Sequence, residues 1–99
     1  MVQDSVVAEV GWRIVAVHLI HSELTEKIIA AYYEVYNQLG YGFLEKVYEN
    51  AMCIALRKRG LDVTQQSPIQ VFFDDQVVGT YFADLFVNNL VVIEIKAAK

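Results

Sequence analysis

An α+β fold, two helices followed by a mostly antiparallel sheet, is predicted for this chain by three observations. Two successive runs repeat their apolar residues at helical spacing. After Gly60 the pattern changes to strand-like runs. Turn residues punctuate those later runs. The length of 99 residues allows one small domain. The first helix is expected from Ser22, which fits an N-cap, with Glu23 and Glu26 in the first turn complementing the helix dipole. Leu24, Ile28, Tyr32, Val35 and Leu39 recur on one face, and Gly40 ends the run. A tight Gly40-Tyr41-Gly42 link leads to a second helix from about Phe43. Its expected apolar stripe is Leu44, Val47, Tyr48, Ala51 and Ala55. Arg57, Lys58 and Arg59 fill the last turn, and Gly60 closes it.

Strands are expected over Leu61 to Gln65, Ile69 to Phe73, Val77 to Val87 and Leu90 to Ala97. Pro68 belongs at an edge or a bulge. Asp74-Asp75-Gln76 reads as a turn, Gly79 as a bulge marker, and Asn88-Asn89 as a hairpin signal. The domain proper is expected over 22–99, with 1–21 as an N-terminal extension. Within it Trp12, Ile14, Ala16 and Ile20 alternate in strand fashion, which fits either an added strand or a poorly ordered extension.

The composition limits function. An apolar fraction of 56% excludes a disordered chain. Net charge of −4 argues against broad electrostatic nucleic-acid binding. It leaves room for an enzyme whose acids hold metal ions. The stretch from Val6 to Ile20 is too short and too charged to span a membrane, and no clear signal peptide is present. A cytoplasmic protein without membrane association is expected. Cys53 is single and lies in a helical run, so a buried, inert thiol is expected there.

The chemistry is concentrated near the C-terminus. Asp84 interrupts the apolar run Tyr81 to Val87, and Glu94 and Lys96 interrupt Val91 to Ala97. Charges in such strands are costly unless compensated. A hard cation such as Mg²⁺ takes oxygen ligands and keeps several waters, so one to three carboxylates suffice. Glu94 and Lys96 are two apart and share a strand face, and the backbone carbonyl of Ile95 can face the same ion. Each residue also has an ordinary reading. Glu45 taken alone is a first-turn helix acid. Asp84 and Lys96 taken alone are a cross-strand ion pair. Register decides between the readings. A two-residue Asn88-Asn89 turn would pair Asp84 with Ile93 and put the two acids on opposite faces. An odd-length loop such as Asn88-Asn89-Leu90, or a bulge, is therefore expected.

Asp84 followed by Glu94-Ile95-Lys96 resembles the Asp and Glu-x-Lys halves of the PD-(D/E)XK nuclease superfamily, with Ala83 where a proline is usual. Gly42-Phe43-Leu44-Glu45-Lys46-Val47-Tyr48 resembles the motif that names its GxxExxY branch. The resemblance runs from about Ser22 to Lys99. It implies a restriction-endonuclease-like α/β core, in which relatives continue past the Glu-x-Lys strand with a helix and a strand expected to be missing here. It further implies a nuclease acting on DNA ahead of RNA, with Mg²⁺ or Mn²⁺ held by Glu45, Asp84, Glu94 and the Ile95 carbonyl, and with Lys96 as the catalytic lysine. Tyr48, Arg57 and Lys58 would contact substrate. The alternative is a catalytically inactive module of the same fold. In either case a homo-oligomer is expected to cover exposed sheet.

Overall fold

The structure is a computed structural model and describes residues 3–6, 12–18 and 22–97. The first helix, α1, spans Ser22–Leu39 and buries Leu24, Ile28, Ala31, Tyr32 and Val35 along one face. Ser22, read as its cap, is the first helical residue.

Helix α2 spans Glu45–Lys58, two residues later than the sequence suggests. It ends in a Schellman arrangement: Gly60 N donates to Arg57 O at 3.0 Å and Leu61 N to Leu56 O at 3.2 Å. Gly60 takes φ +80°, a conformation open to glycine without strain. The buried face of α2 is Tyr48, Glu49, Met52, Cys53, Ala55 and Leu56. Leu44 and Val47, expected in the stripe, are exposed, because Leu44 precedes the helix and Tyr48 sets its rotation against the sheet. Cys53 is buried, and that burial raises its thiol pKa above the ordinary value, in keeping with an inert thiol.

Five strands form one antiparallel sheet in the order β1-β2-β5-β4-β3, with β1 Gln3–Val6, β2 Trp12–His18, β3 Val63–Phe73, β4 Gln76–Val87 and β5 Val91–Ala97. The segment ahead of residue 22 thus contributes two strands, and β2 lies directly beside β5. Ile20, His21 and Lys99 lie outside the described residues.

The two short strands expected between Leu61 and Phe73 are one continuous edge strand that carries Pro68, since an edge position tolerates the missing donor. The β3–β4 turn uses Asp74 and Asp75 at φ 49° and 62°, as a type I′ hairpin requires. Register slips between Val71 and Phe72 and leaves Val78, beside Gly79, as the extra residue.

The core lies between the helices and one sheet face. Its centre is Trp12, whose ring stacks on Tyr48 at 4.3 Å and 14° and meets Tyr32 at 4.6 Å. Trp12 Nε1 donates to Gly40 O at 3.0 Å. Tyr48 Oη donates to the same carbonyl at 3.2 Å and accepts from Phe43 N at 3.2 Å. The inserted strand and the turn before α2 are therefore tied through two buried aromatic rings. Tyr32 Oη donates to Trp12 O at 2.8 Å, and its burial pushes the phenol pKa up to about 12.

Candidate functional site

The site is built at a fork between β4 and β5. The two strands pair from Val87↔Val91 to Leu85↔Ile93. Beyond that point β4 continues with β3 alone and β5 with β2 alone. The loop Asn88-Asn89-Leu90 has three residues, with Asn88 and Asn89 at φ 52° and 54°. This is the odd-length connection, the first of the two arrangements expected from the sequence, and it sets Asp84 opposite Glu94. Where the ladder stops, the Asp84 carboxylate takes over as acceptor: Ile95 N donates to its Oδ2 at 2.7 Å. In an extended strand the N–H and C=O of one residue point to the same side. The Ile95 carbonyl consequently also faces the fork, while its side chain is buried.

Asp84 and Glu94 interact directly. Burial raises the Glu94 pKa, and the Asp84 charge and side-chain hydrogen bond raise it further. A hydrogen bond from the Asp84 main chain and the charge of Lys96 act in the other direction. Two carboxyl groups held this close repel when both are ionised, and a cation between them would relieve that repulsion. Lys96 is exposed, two residues beyond Glu94 on the same strand face. The ion pair between Asp84 and Lys96 that a purely structural reading expects does not form.

Helix α2 places two acids toward the sheet, Glu45 and Glu49. The exposed Glu45 carboxylate accepts from Ala97 N at 3.1 Å, at the end of β5. It does not join Asp84 and Glu94 in a three-carboxylate group. One turn on, Glu49 is 4% exposed, the one buried charged residue among those described. Its Oε2 accepts from Lys46 Nζ at 3.1 Å and Gln65 Nε2 at 2.9 Å, and its Oε1 from Gln66 Nε2 at 3.0 Å. The same Gln66 Nε2 reaches Asp84 Oδ1 at 3.3 Å. One amide thus links the helix acid to the sheet acid. Gln66 does this from φ 51°, a left-handed conformation inside a strand that costs a residue with a Cβ about 1–3 kcal/mol.

Glu49, Gln65 and Gln66, which the sequence does not single out, form a hydrogen-bonded group beside Asp84. The available signal was an acid on the buried side of the second helix, next to Tyr48 and one turn ahead of Met52 and Cys53.

The residues expected at substrate are occupied otherwise. Tyr48 is fully buried under Trp12, with its hydroxyl bonded to the turn before α2. Arg57 Nη2 donates to Val63 O at 2.7 Å, and Lys58 and Arg59 pair with Glu34 of α1. These groups lie at the far end of α2, about 20 Å of helix from Glu45.

Among the described residues no three acid, His or Cys side chains form a ready-made metal cage. The donor set at the fork still fits a hard cation: two facing carboxylates and a backbone carbonyl, all oxygen. No helix among the described residues is long and apolar enough to cross a membrane.

Residues 22–99 match the family model of the PD-(D/E)XK nuclease superfamily. No curated protein and no solved structure matches the chain. The match includes α1, α2, the fork and its Asp84 and Glu94-x-Lys96 residues, and β1 and β2 lie ahead of it. By this match, supported by an α+β fold of the corresponding kind, the chain belongs to the PD-(D/E)XK nuclease superfamily.

Proposed function

We propose that this chain is a metal-dependent nuclease of the GxxExxY type that hydrolyses phosphodiester bonds in DNA. The observation that carries the reading is the fork itself, with Asp84 facing Glu94, Ile95 N–H fixing Asp84, and Lys96 two residues on. Asp84, Glu94 and the Ile95 carbonyl would hold Mg²⁺ or Mn²⁺. Glu49 would act from the helix side through Gln66 and bound water, in the position first assigned to Glu45. When bound, such an ion would supply a water of lowered pKa and positive charge against the phosphate. Lys96 orients that water or stabilises the charge that develops on the phosphoryl oxygens. Ile95 N–H holds the Asp84 carboxylate aimed into the fork. A cytoplasmic location goes with this reading.

The test is Mg²⁺- or Mn²⁺-dependent nicking of plasmid DNA. Lys96→Ala is expected to lower the rate by about 10²–10³. Cleavage at the original rate in that variant contradicts the assignment.

One observation favours a second reading, a non-catalytic module that associates through its sheet. The β3–β4 hairpin beyond the fork exposes Phe72, Phe73, Val78 and Phe82, each at least 60% exposed. A dimer in solution that binds Mn²⁺ but never cleaves would support the module over the enzyme.

A further inference from the structure

The β2–β5 register places Arg13 directly opposite Lys96 and Val15 opposite Glu94. Opposed residues share a face, so Arg13 and Lys96 lie side by side next to the Asp84–Glu94 pair. Along a strand the next residue on the same face is roughly 7 Å away. Arg13 is fixed there by its neighbours: Trp12 and Ile14 are 1% and 0% exposed and anchor β2 in the core.

Like charges directly opposite each other destabilise an antiparallel pair. Neither Arg13 nor Lys96 joins an ion pair among the described residues. This contrasts with Lys46, Lys58 and Arg59, which pair with glutamates, and with Arg57, which bonds Val63 O. In a chain of net charge −4, two adjacent open cations beside the acids form a place for an anion.

We propose that Arg13 and Lys96 together grip a phosphodiester group of the nucleic-acid strand beside the bond to be cleaved. The guanidinium of Arg13 makes the bidentate contact suited to phosphate oxygens. Arg13 comes from β2, outside residues 22–99, so the added strand contributes to substrate binding as well as to the core. The inference rests on the nuclease reading, but its test separates the two.

The experiment is fluorescence anisotropy of a labelled DNA duplex against salt concentration. Ca²⁺ is supplied as the cation, because its loose coordination does not require cleavage geometry. Thermal melting and Mn²⁺ titration of the same proteins accompany it. Arg13→Gln is expected to weaken DNA binding about tenfold and to lower the salt slope by about one. Its Mn²⁺ affinity should stay unchanged, and its melting temperature should be equal to or above that of the native chain. Arg13→Lys should recover most of the affinity. Arg13→Glu should melt higher, through a cross-strand pair with Lys96, and bind no DNA. If the native chain binds DNA and Arg13→Gln binds it equally with the same salt slope, the inference is overturned and the nuclease reading stands. If the native chain binds no DNA, both fall.

Discussion

At the residue scale, Glu94 and Gln66 each carry an unfavourable feature that a bound cation would justify. The folded-state pKa of Glu94 lies above its ordinary value, chiefly through burial and then through Asp84. Its contribution to stability is therefore full below the unfolded value near 4.5 and is lost as pH rises through the folded pKa. Glu94→Gln is expected to raise the melting temperature of the metal-free protein at neutral pH and to flatten its pH dependence. Cation binding has the opposite sign, because it needs the carboxylate: Mn²⁺ affinity should rise with pH through the same range and be lost in Glu94→Gln. Thermal melts across pH with and without Mn²⁺ check both signs.

Gln66 makes a parallel case. Gln66→Gly relieves the backbone strain at φ 51° but leaves the buried Glu49 Oε1 without its donor, and is expected to cost the fold about 1 kcal/mol net. The bridge between Glu49 and Asp84 is lost with it, and Mn²⁺ affinity should fall about tenfold. Calorimetric titration alongside denaturant unfolding separates the two effects. Asp84, Glu94 and Lys96 stand out in the sequence as candidates because charge in an apolar strand is conspicuous. Glu49 was not, because an acid in the first turns of a helix is usually solvated. Lys46 and the glutamines of β3 supply the donors that this buried one needs.

At the element scale, the sheet register does most to define the site. The three-residue 88–90 loop was legible because an odd length, or else a bulge, is needed to bring Asp84 and Glu94 to one place. The continuity of β3 was not legible. Pro68 looked like a strand break, whereas the edge position accommodates it and the irregularity falls two residues earlier, at Gln66.

The weak alternation in the N-terminal segment gave no hint that Trp12 would be central to the core. Trp12→Ala is expected to cost about 3–5 kcal/mol, read as a lower midpoint in urea. Tyr48→Phe leaves Gly40 O and Phe43 N short of a partner and should cost about 1–2 kcal/mol. Cleavage per folded molecule should be unchanged in Tyr48→Phe, because the ring faces Trp12 and not the fork. A fall in cleavage without a fall in stability would return Tyr48 to substrate binding.

At the scale of the whole molecule, the sheet has helices on one face, and a hairpin extends beyond the fork. The overall extents are 44 × 30 × 20 Å. The helix acid and the sheet acids come from elements far apart in sequence, so a cation bound at the fork ties α2 to β4 and β5. Mg²⁺ at a hundredfold over its dissociation constant should stabilise the fold by about 2.7 kcal/mol, and a chelator should remove the effect.

The central claim is that the fork between β4 and β5 binds a divalent cation. A crystal soaked in Mn²⁺ and read by anomalous scattering tests it most directly. The account predicts a peak between the Asp84 and Glu94 carboxylates and beside the Ile95 carbonyl, with Glu49 reached through water. A peak on Glu45 at the end of β5, or no peak at the fork at saturating Mn²⁺, would contradict it.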